Sequence, residues 1–305
     1  MQNSQTPEQL YGDHIQQKLS RFCTILQATN FDRLIIGSGS EKIQFQDDMA
    51  YPFKTNPYFR EWVPLNYANY FLCIDAENEK PKLYIQCKQD IWHSAPQKLA
   101  ETYAQHLEII EYSSLEALIK QLSKSARSLG LINDTNDFDL DAKAFNPSQI
   151  LNAIDFQRRS KTAYEHACLR EATRLAVPAH LAAKDAFMAG ASELEVASAY
   201  LKACYCAESE MPYAIIAGIN ENAAVLHHHQ LNNRPVEPQS LLLDAGVQFN
   251  HYASDITRTH AYDSGSDFSS MINALDRLQQ DLANEAGIGK NPAALHVQSQ
   301  YAIAS

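Results

Sequence analysis

The sequence predicts a mixed α/β (α+β) protein of two domains, and three observations support this. The chain has 305 residues, about twice the length of a common domain, and 45% of them are hydrophobic, enough for two buried cores. Segments with apolar residues at helical spacing alternate with short apolar runs typical of strands. An acidic, polar stretch between Asn133 and Pro147 separates two such series, so we place the domains at residues 1–155 and 156–305.

The first domain begins with a helix that leads into a sheet. Apolar residues recur at helical spacing over residues 8–29, and residues 31–37 form a short strand ended by glycine. The β-rich runs 70–75 and 82–87 predict a hairpin. Helical patterning returns over residues 97–107, so this half contains both helices and sheet.

A Ser or Thr followed three residues later by Glu, the pattern of a capping box, marks the start of three helices. The pairs are Ser113/Glu116, Thr162/Glu165 and Ser192/Glu195. The second pair opens a long helix that reaches about Ala189, with Gly190 as its stop. Pro178 lies inside this helix, where its missing N–H and its ring predict a kink or a shorter helix.

The second domain changes from helices to strands and back. Residues 214–218 and 240–246 are buried-strand runs, and residues 252–260 form another extended stretch. Residues 269–283 and the segment from about 293 are helical. The sequence stops at Ser305 within that last helical pattern, without a cap or a polar tail.

Charge and composition exclude several classes of function. The chain has 25 Lys and Arg against 36 Asp and Glu, without basic runs, which argues against a nucleic-acid partner. The chain has no run of about 18 apolar residues, so the sequence predicts no membrane span. The first five residues lack the features of a signal peptide. The six cysteines lack the dense spacing of a disulfide framework, so we expect them to be reduced in a cytoplasmic protein.

Two aspartates are the sharpest chemical feature. Asp244 closes an apolar strand, and Asp255 follows eleven residues later in a second extended stretch. Carboxylates at the ends of adjacent antiparallel strands can converge on one point, where their oxygens suit divalent Mn, Co, Zn or Mg. The spacing alone leaves a second interpretation open, because aspartates in turns commonly only solvate the turn.

Three consecutive histidines, His227 to His229, follow an apolar run. In a strand, His227 and His229 would share one face and His228 would take the other. A neutral imidazole here could bind metal, contact a substrate carboxylate or carry a proton. The alternative is a polar loop that begins with a hydrogen-bonded core histidine.

Several stretches of the second domain together form a specific pattern. They are Met211-Pro212-Tyr213, residues 220–227 with the sequence NENAAVLH, LLDAG at 242–246 and YASDITRT at 252–259. This pattern resembles the pita-bread metallopeptidases, and more narrowly the bacterial Xaa-Pro dipeptidases (prolidases). Residues 47–64 of the first domain resemble part of a creatinase-like N-terminal domain, so the resemblance extends over nearly the whole chain.

The resemblance implies a fold, a reaction and a set of site residues. It implies a creatinase-like N-terminal domain followed by an incomplete pita-bread domain, and hydrolysis of dipeptides with C-terminal proline. Asp244 resembles a chelating ligand and Asp255 a bridging ligand of two divalent ions, most often Mn²⁺, with Co²⁺ or Zn²⁺ as alternatives. His227 resembles a histidine beside the scissile bond or the substrate carboxylate. The full-length family form is expected to be a homodimer.

The chain departs from the family pattern at its C-terminal end. The family site has three further ligands, a histidine and two glutamates, which we expect to be absent here; His296 reads as a helix-surface residue. Two carboxylates cannot fix two divalent ions, so we expect activity to be lost or very low. Two alternatives stay open: a non-catalytic remnant that acts as a binding or dimerisation module, and an Xaa-Pro aminopeptidase that cleaves longer peptides.

Overall fold

The computed structural model describes residues 5–75, 79–87, 98–123, 128–136 and 145–304. These residues divide into two units. The first contains the described part of Met1–Glu171 together with Phe249–Tyr252, and the second contains that of Ala172–Gln248 and Ala253–Ser305. None of the helices in these ranges is both long enough and apolar enough to cross a bilayer.

The first unit is built on a five-stranded mixed sheet. Its elements are α1 (Pro7–Thr29), β1 (Arg33–Gly37), α2 (Pro57–Arg60), β2 (Phe71–Asp75), β3 (Lys82–Gln86), α3 (Glu101–Ala104), β4 (Glu108–Tyr112), α4 (Leu115–Ser123), β5 (Leu129–Ile132), α5 (Ser148–Arg158) and the start of α6 (Ala163–Met188). The strand order is β4-β3-β2-β1-β5. The β2 strand pairs antiparallel with β1 and β3, whereas β5 and β4 join the two edges in parallel.

The α1 helix provides one side of the main core. Pro7 begins it with a preset φ, the Gln9 side chain accepts a hydrogen bond from the Thr6 N–H at 2.9 Å, and Asn30 ends it in the left-handed conformation. Its apolar face is fully buried with the first strands. The residues on this face are Tyr11, Ile15, Leu19, Phe22, Ile25 and Leu26.

A buried polar group lies under the same helix. His14 bonds through Nδ1 to the Thr162 hydroxyl and through Nε2 to the Glu61 carbonyl oxygen, both at 2.8 Å. Lys18 donates to the Glu61 carboxylate, and Arg158 Nε lies 3.4 Å from the same oxygen. Burial lowers the pKa of His14 to about 4. Burial also raises the pKa of Glu61, although Lys18 and Arg158 oppose that shift.

The second unit packs two of its helices against one face of a small sheet. Its elements are the rest of α6, α7 (Glu193–Cys204), β6 (Ile216–Ile219), β7 (Ser240–Ala245), β10 (Ile256–Ala261), α8 (Asp267–Glu285) and α9 (Pro292–Ala304). The residues of the short strands β8 (Gln248–Phe249) and β9 (Tyr252–Ala253) are divided between the two units. The main sheet has the order β10-β7-β6 with both pairs antiparallel. Its core joins alanines of α6 and Tyr200 of α7 to Leu241 and Leu243 of β7.

Most sequence predictions of single elements are confirmed. The hairpin of β2 and β3 forms, and the Thr162 and Ser192 capping boxes both close. The α6 helix ends before Gly190, which has a φ of +83°. Of the two effects predicted for Pro178, a shorter α6 is wrong, because the helix continues to Met188, and a kink stays a prediction. Packing of its buried alanines outweighs the roughly 3 kcal/mol that an internal proline costs.

Other local predictions are wrong in detail. The helix predicted over 97–107 is reduced to α3, and Gln97 lies outside the described residues. The sequence also missed β4 and β5, which pair in parallel with distant strands. The α4 helix is capped by Ser114 and not by Ser113, since the Ser114 hydroxyl accepts from the Ala117 N–H at 3.3 Å.

His14 makes stability depend on pH. Unfolded His14 binds a proton below about pH 6.5, whereas in the folded unit it does so only near pH 4. The contribution of His14 to the free energy of unfolding is therefore complete above pH 6.5, and it falls by up to about 3 kcal/mol between pH 6.5 and 4. His14→Gln should lose less stability over this range in urea unfolding experiments. An equal loss in the variant and the unsubstituted protein would contradict this prediction.

The Lys18–Glu61 pair gives a second stability prediction. Glu61→Leu leaves the buried Lys18 ammonium without its carboxylate, so we expect a loss of about 3–5 kcal/mol in the free energy of unfolding. The double variant Lys18→Met/Glu61→Leu removes both charges and should recover most of that loss. Urea unfolding of both variants at pH 7 measures the difference. A double variant as unstable as the single one would count against this account.

Candidate active site

Antiparallel pairing of β7 with β10 brings the two predicted aspartates together. Asp244 lies on the central strand, where it is opposite Thr257 of β10 and Ile216 of β6. Asp255 comes directly before β10. Both carboxylates therefore reach the same end of the sheet, as the eleven-residue spacing predicts.

The approach of these two segments depends on a glycine. A Cβ atom on Gly246 would lie 2.0 Å from the carbonyl oxygen of Ser254, a distance that no side chain tolerates. Val247 and Ser254 then fasten the segments: the Ser254 N–H donates to the Val247 carbonyl at 2.9 Å, and the Ser254 hydroxyl accepts from the Val247 N–H at 3.0 Å. The segments that carry the aspartates are thus tied together directly beside them.

Tyr213 joins the two carboxylates. Its hydroxyl lies 2.9 Å from Asp244 Oδ1 and 3.0 Å from Asp255 Oδ1. Burial and the two neighbouring carboxylates raise the pKa of Tyr213, so the phenol keeps its hydrogen and can donate it. This role of Tyr213 is not apparent from the sequence, although Tyr213 belongs to one of the stretches that carry the family resemblance.

His227 lies in a turn, so the strand considered for the three histidines is wrong. The predicted division of faces nevertheless holds, because the rings of His227 and His229 stack with centroids 6.0 Å apart while His228 bonds to Glu193. Both His227 and His229 are exposed. Within the described ranges, His227 makes no hydrogen bond to either aspartate.

A buried histidine forms a hydrogen bond to the end of β7. His180 of α6 donates from Nε2 to the carbonyl oxygen of Ala245 at 3.1 Å, immediately after Asp244. Burial lowers the pKa of His180, which keeps the ring neutral. Its Nδ1 is buried and has no hydrogen-bond partner among the described atoms.

The donor set fits part of a divalent metal site. Asp244 and Asp255 present hard carboxylate oxygens to one point, as Mn²⁺ and Mg²⁺ require. In the part of the chain that the structure describes, no group of three or more His, Cys, Asp or Glu residues is placed to hold an ion. His296 is exposed on α9, in accordance with its expected place on a helix surface.

Comparison with known proteins assigns the family. The description "Xaa-Pro dipeptidase, N-terminal domain" matches residues 9–156, and "Metallopeptidase family M24" matches residues 167–305. The Xaa-Pro dipeptidase of Shewanella halifaxensis is 37% identical over 300 residues, which cover 97% of this chain and 68% of that protein. The chain belongs to the Xaa-Pro dipeptidase family. The relative from Serratia proteamaculans is also 37% identical, over 98% of this chain and 69% of its own length.

Solved structures of this and a neighbouring family share the fold. The Xaa-Pro dipeptidase from Bacillus anthracis gives a TM-score of 0.56 at 19% identity, covering 87% of this chain and 70% of that one. The low-pH form of aminopeptidase P from E. coli gives 0.62 at 19% identity, covering 88% and 68%. The predicted creatinase-like and pita-bread fold class is therefore confirmed.

Removing the Tyr213 hydroxyl should weaken metal binding. Members of this family use divalent metal ions, and Tyr213 orients both candidate ligands, so we expect Tyr213→Phe to lower the affinity for Mn²⁺ about tenfold to a hundredfold. Free Mn²⁺ measured by electron paramagnetic resonance during a titration gives this affinity. Tyr205→Phe is the matched control, because Tyr205 is 95% exposed. Unchanged affinity in Tyr213→Phe would exclude the orienting role.

Proposed function

We propose that this chain supplies the aspartate pair and the segment with His227 to His229 of an Xaa-Pro dipeptidase site, which hydrolyses dipeptides with C-terminal proline. The observation that carries the proposal is the convergence of Asp244 and Asp255 on the Tyr213 hydroxyl. Family membership supports the substrate, since the curated relatives compared above carry the name Xaa-Pro dipeptidase.

In the proposed reaction, each residue has a separate task. Asp244 and Asp255 would hold the metal ions, with Mn²⁺ as the expected ion and Co²⁺ or Zn²⁺ as alternatives. Bound divalent ions would act as Lewis acids that polarise the carbonyl of the scissile bond. The proline nitrogen of that bond carries no hydrogen. Tyr213 keeps both carboxylates aimed at one point. His227, exposed on its loop, would contact the substrate beside the scissile bond or at its free carboxylate.

The dipeptidase is favoured over an Xaa-Pro aminopeptidase by sequence similarity. The Xaa-Pro dipeptidase relatives are 37% identical over nearly the whole chain. The solved structures of a dipeptidase and of aminopeptidase P are each 19% identical, so they show the shared fold and do not distinguish the two activities. The expected homodimer, the cytoplasmic location and the impaired activity of this 305-residue form stay predictions. The non-catalytic module likewise remains an outcome that the assay below would identify.

Hydrolysis of Ala-Pro tests the proposal. We expect proline release that requires added Mn²⁺ and is lost in Asp244→Asn, because the amide replaces a charged metal ligand. Asp281→Asn, an exposed carboxamide substitution on α8, should retain the wild-type rate. Since this chain covers 68% of the length of its Shewanella halifaxensis relative, the assay includes a form extended by the downstream reading frame.

The two forms distinguish the outcomes. Activity in the extended form alone would support both the dipeptidase and the predicted impairment of the shorter form. Activity in the 305-residue form would support the dipeptidase and overturn the ligand count. Hydrolysis by neither form would reject the proposed function in favour of a non-catalytic module.

A further inference from the structure

Glu193 is a buried carboxylate with four hydrogen-bond donors. It is the first residue of α7, and its side chain is only 2% exposed. Oε1 accepts from the Ile219 N–H at 2.8 Å and from Asn222 Nδ2 at 2.9 Å. Oε2 accepts from His228 Nε2 at 2.9 Å and from the Asn232 N–H at 2.8 Å. Both oxygens are therefore used twice.

All four donors belong to one segment, residues 219–232, which we call the histidine loop. Two of them, the N–H groups of Ile219 and Asn232, lie at its ends, and the other two are side chains within it. The ends of the loop have other anchors, because Ile219 and Leu231 pack with the core and Asn220 accepts hydrogen bonds from the Gln239 and Ser240 N–H groups. Its middle has few apolar contacts, since Val225 and Leu226 are 51% and 81% exposed. The Glu193 carboxylate is thus the one group described here that bonds to both ends of the loop and to His228 between them.

The charge of Glu193 is maintained by the loop itself. Burial opposes the ionised form, but the hydrogen bonds from the loop outweigh this effect and lower the pKa of Glu193. Hydrogen bonds to an ionised acceptor are stronger than those between neutral groups. Any substitution that removes the acceptor also leaves buried donors without a partner, which adds to the loss.

His228 takes a different role from the two histidines beside it. Because a carboxylate only accepts, His228 Nε2 must carry a hydrogen and donate it to Glu193. This contact turns His228 inward. His227 and His229 then lie together on the exposed side of the loop, with their rings stacked.

We propose that Glu193 is a positioning residue that fixes the histidine loop through His228 and thereby sets the place of the His227 and His229 rings. The part that concerns substrate rests on the proposed function, in which His227 contacts the dipeptide. The anchoring itself is a property of the fold and can be tested without turnover.

Hydrogen exchange of the Ile219 and Asn232 amides tests the anchoring. We expect Glu193→Ala to speed their exchange about tenfold or more, because each amide loses a charged acceptor. Glu193→Gln should also speed it, since one carboxamide nitrogen must then face two donors. Glu195→Ala is the matched control: Glu195 caps the same helix through Ser192 but accepts nothing from the loop. Unchanged exchange in Glu193→Ala, or an equal effect in Glu195→Ala, would overturn the anchoring.

His228 provides a milder pair of variants that keep the carboxylate in place. His228→Gln retains a side-chain N–H donor, whereas His228→Leu does not. We expect His228→Leu to raise the KM for Ala-Pro several-fold in the Mn²⁺-loaded extended form, with a smaller change in kcat, and His228→Gln to restore most of the KM. An equal rise in KM in both variants, or a fall in kcat with KM unchanged, would overturn the positioning role. If the unsubstituted protein does not hydrolyse Ala-Pro, the proposed function fails, and the exchange experiment still decides whether Glu193 anchors the loop.

Discussion

The close approach of β7 and β10 is the constraint on which the candidate site depends. A tight connection between two antiparallel strands places Asp244 and Asp255 at one end of the sheet, and it is compatible only with glycine at position 246, where the Ser254 carbonyl takes the space of a side chain. Carboxylates held this close repel one another in the absence of a cation. The Tyr213 hydroxyl offsets part of that repulsion by standing between them.

The same physical device appears twice in the second unit. Tyr213 is one donor placed between two acceptors, and Glu193 is one acceptor group placed among four donors. In both cases a single polar side chain connects segments that lie apart in the sequence, in addition to the strand pairing and the apolar core. A buried polar group such as Glu193 specifies one arrangement because every alternative leaves a donor or a charge without a partner. The aspartates and the histidine loop are therefore placed by polar contacts as well as by packing.

Local sequence signals predicted much of the fold, and long-range contacts explain what they missed. Capping boxes at Thr162 and Ser192 are closed within three residues, so the sequence contains the whole interaction. The β4 strand, in contrast, pairs with β3 in parallel across an intervening segment, and its edge position leaves it with a weak pattern. The Tyr213 hydroxyl reaches residues 31 and 42 positions away. No local signal in the sequence marks Glu193, because its partners lie 26 to 39 residues further along.

The candidate site lies on elements that form the core of the second unit, and the last two helices do not contribute to that core. Asp244 and Glu193 lie on β7 and α7, and Tyr213 lies just before β6; all three elements contribute to the core that includes Tyr200, Leu241 and Leu243. Neither α8 nor α9 buries a residue. The geometry of the aspartate pair is consequently set by elements with a packed interior. The hydrogen-bond partners of Tyr213 and Glu193 all precede β10, since none of them lies beyond Asp255. Binding of another surface to α8 would therefore change the stability of this unit without removing any of these partners.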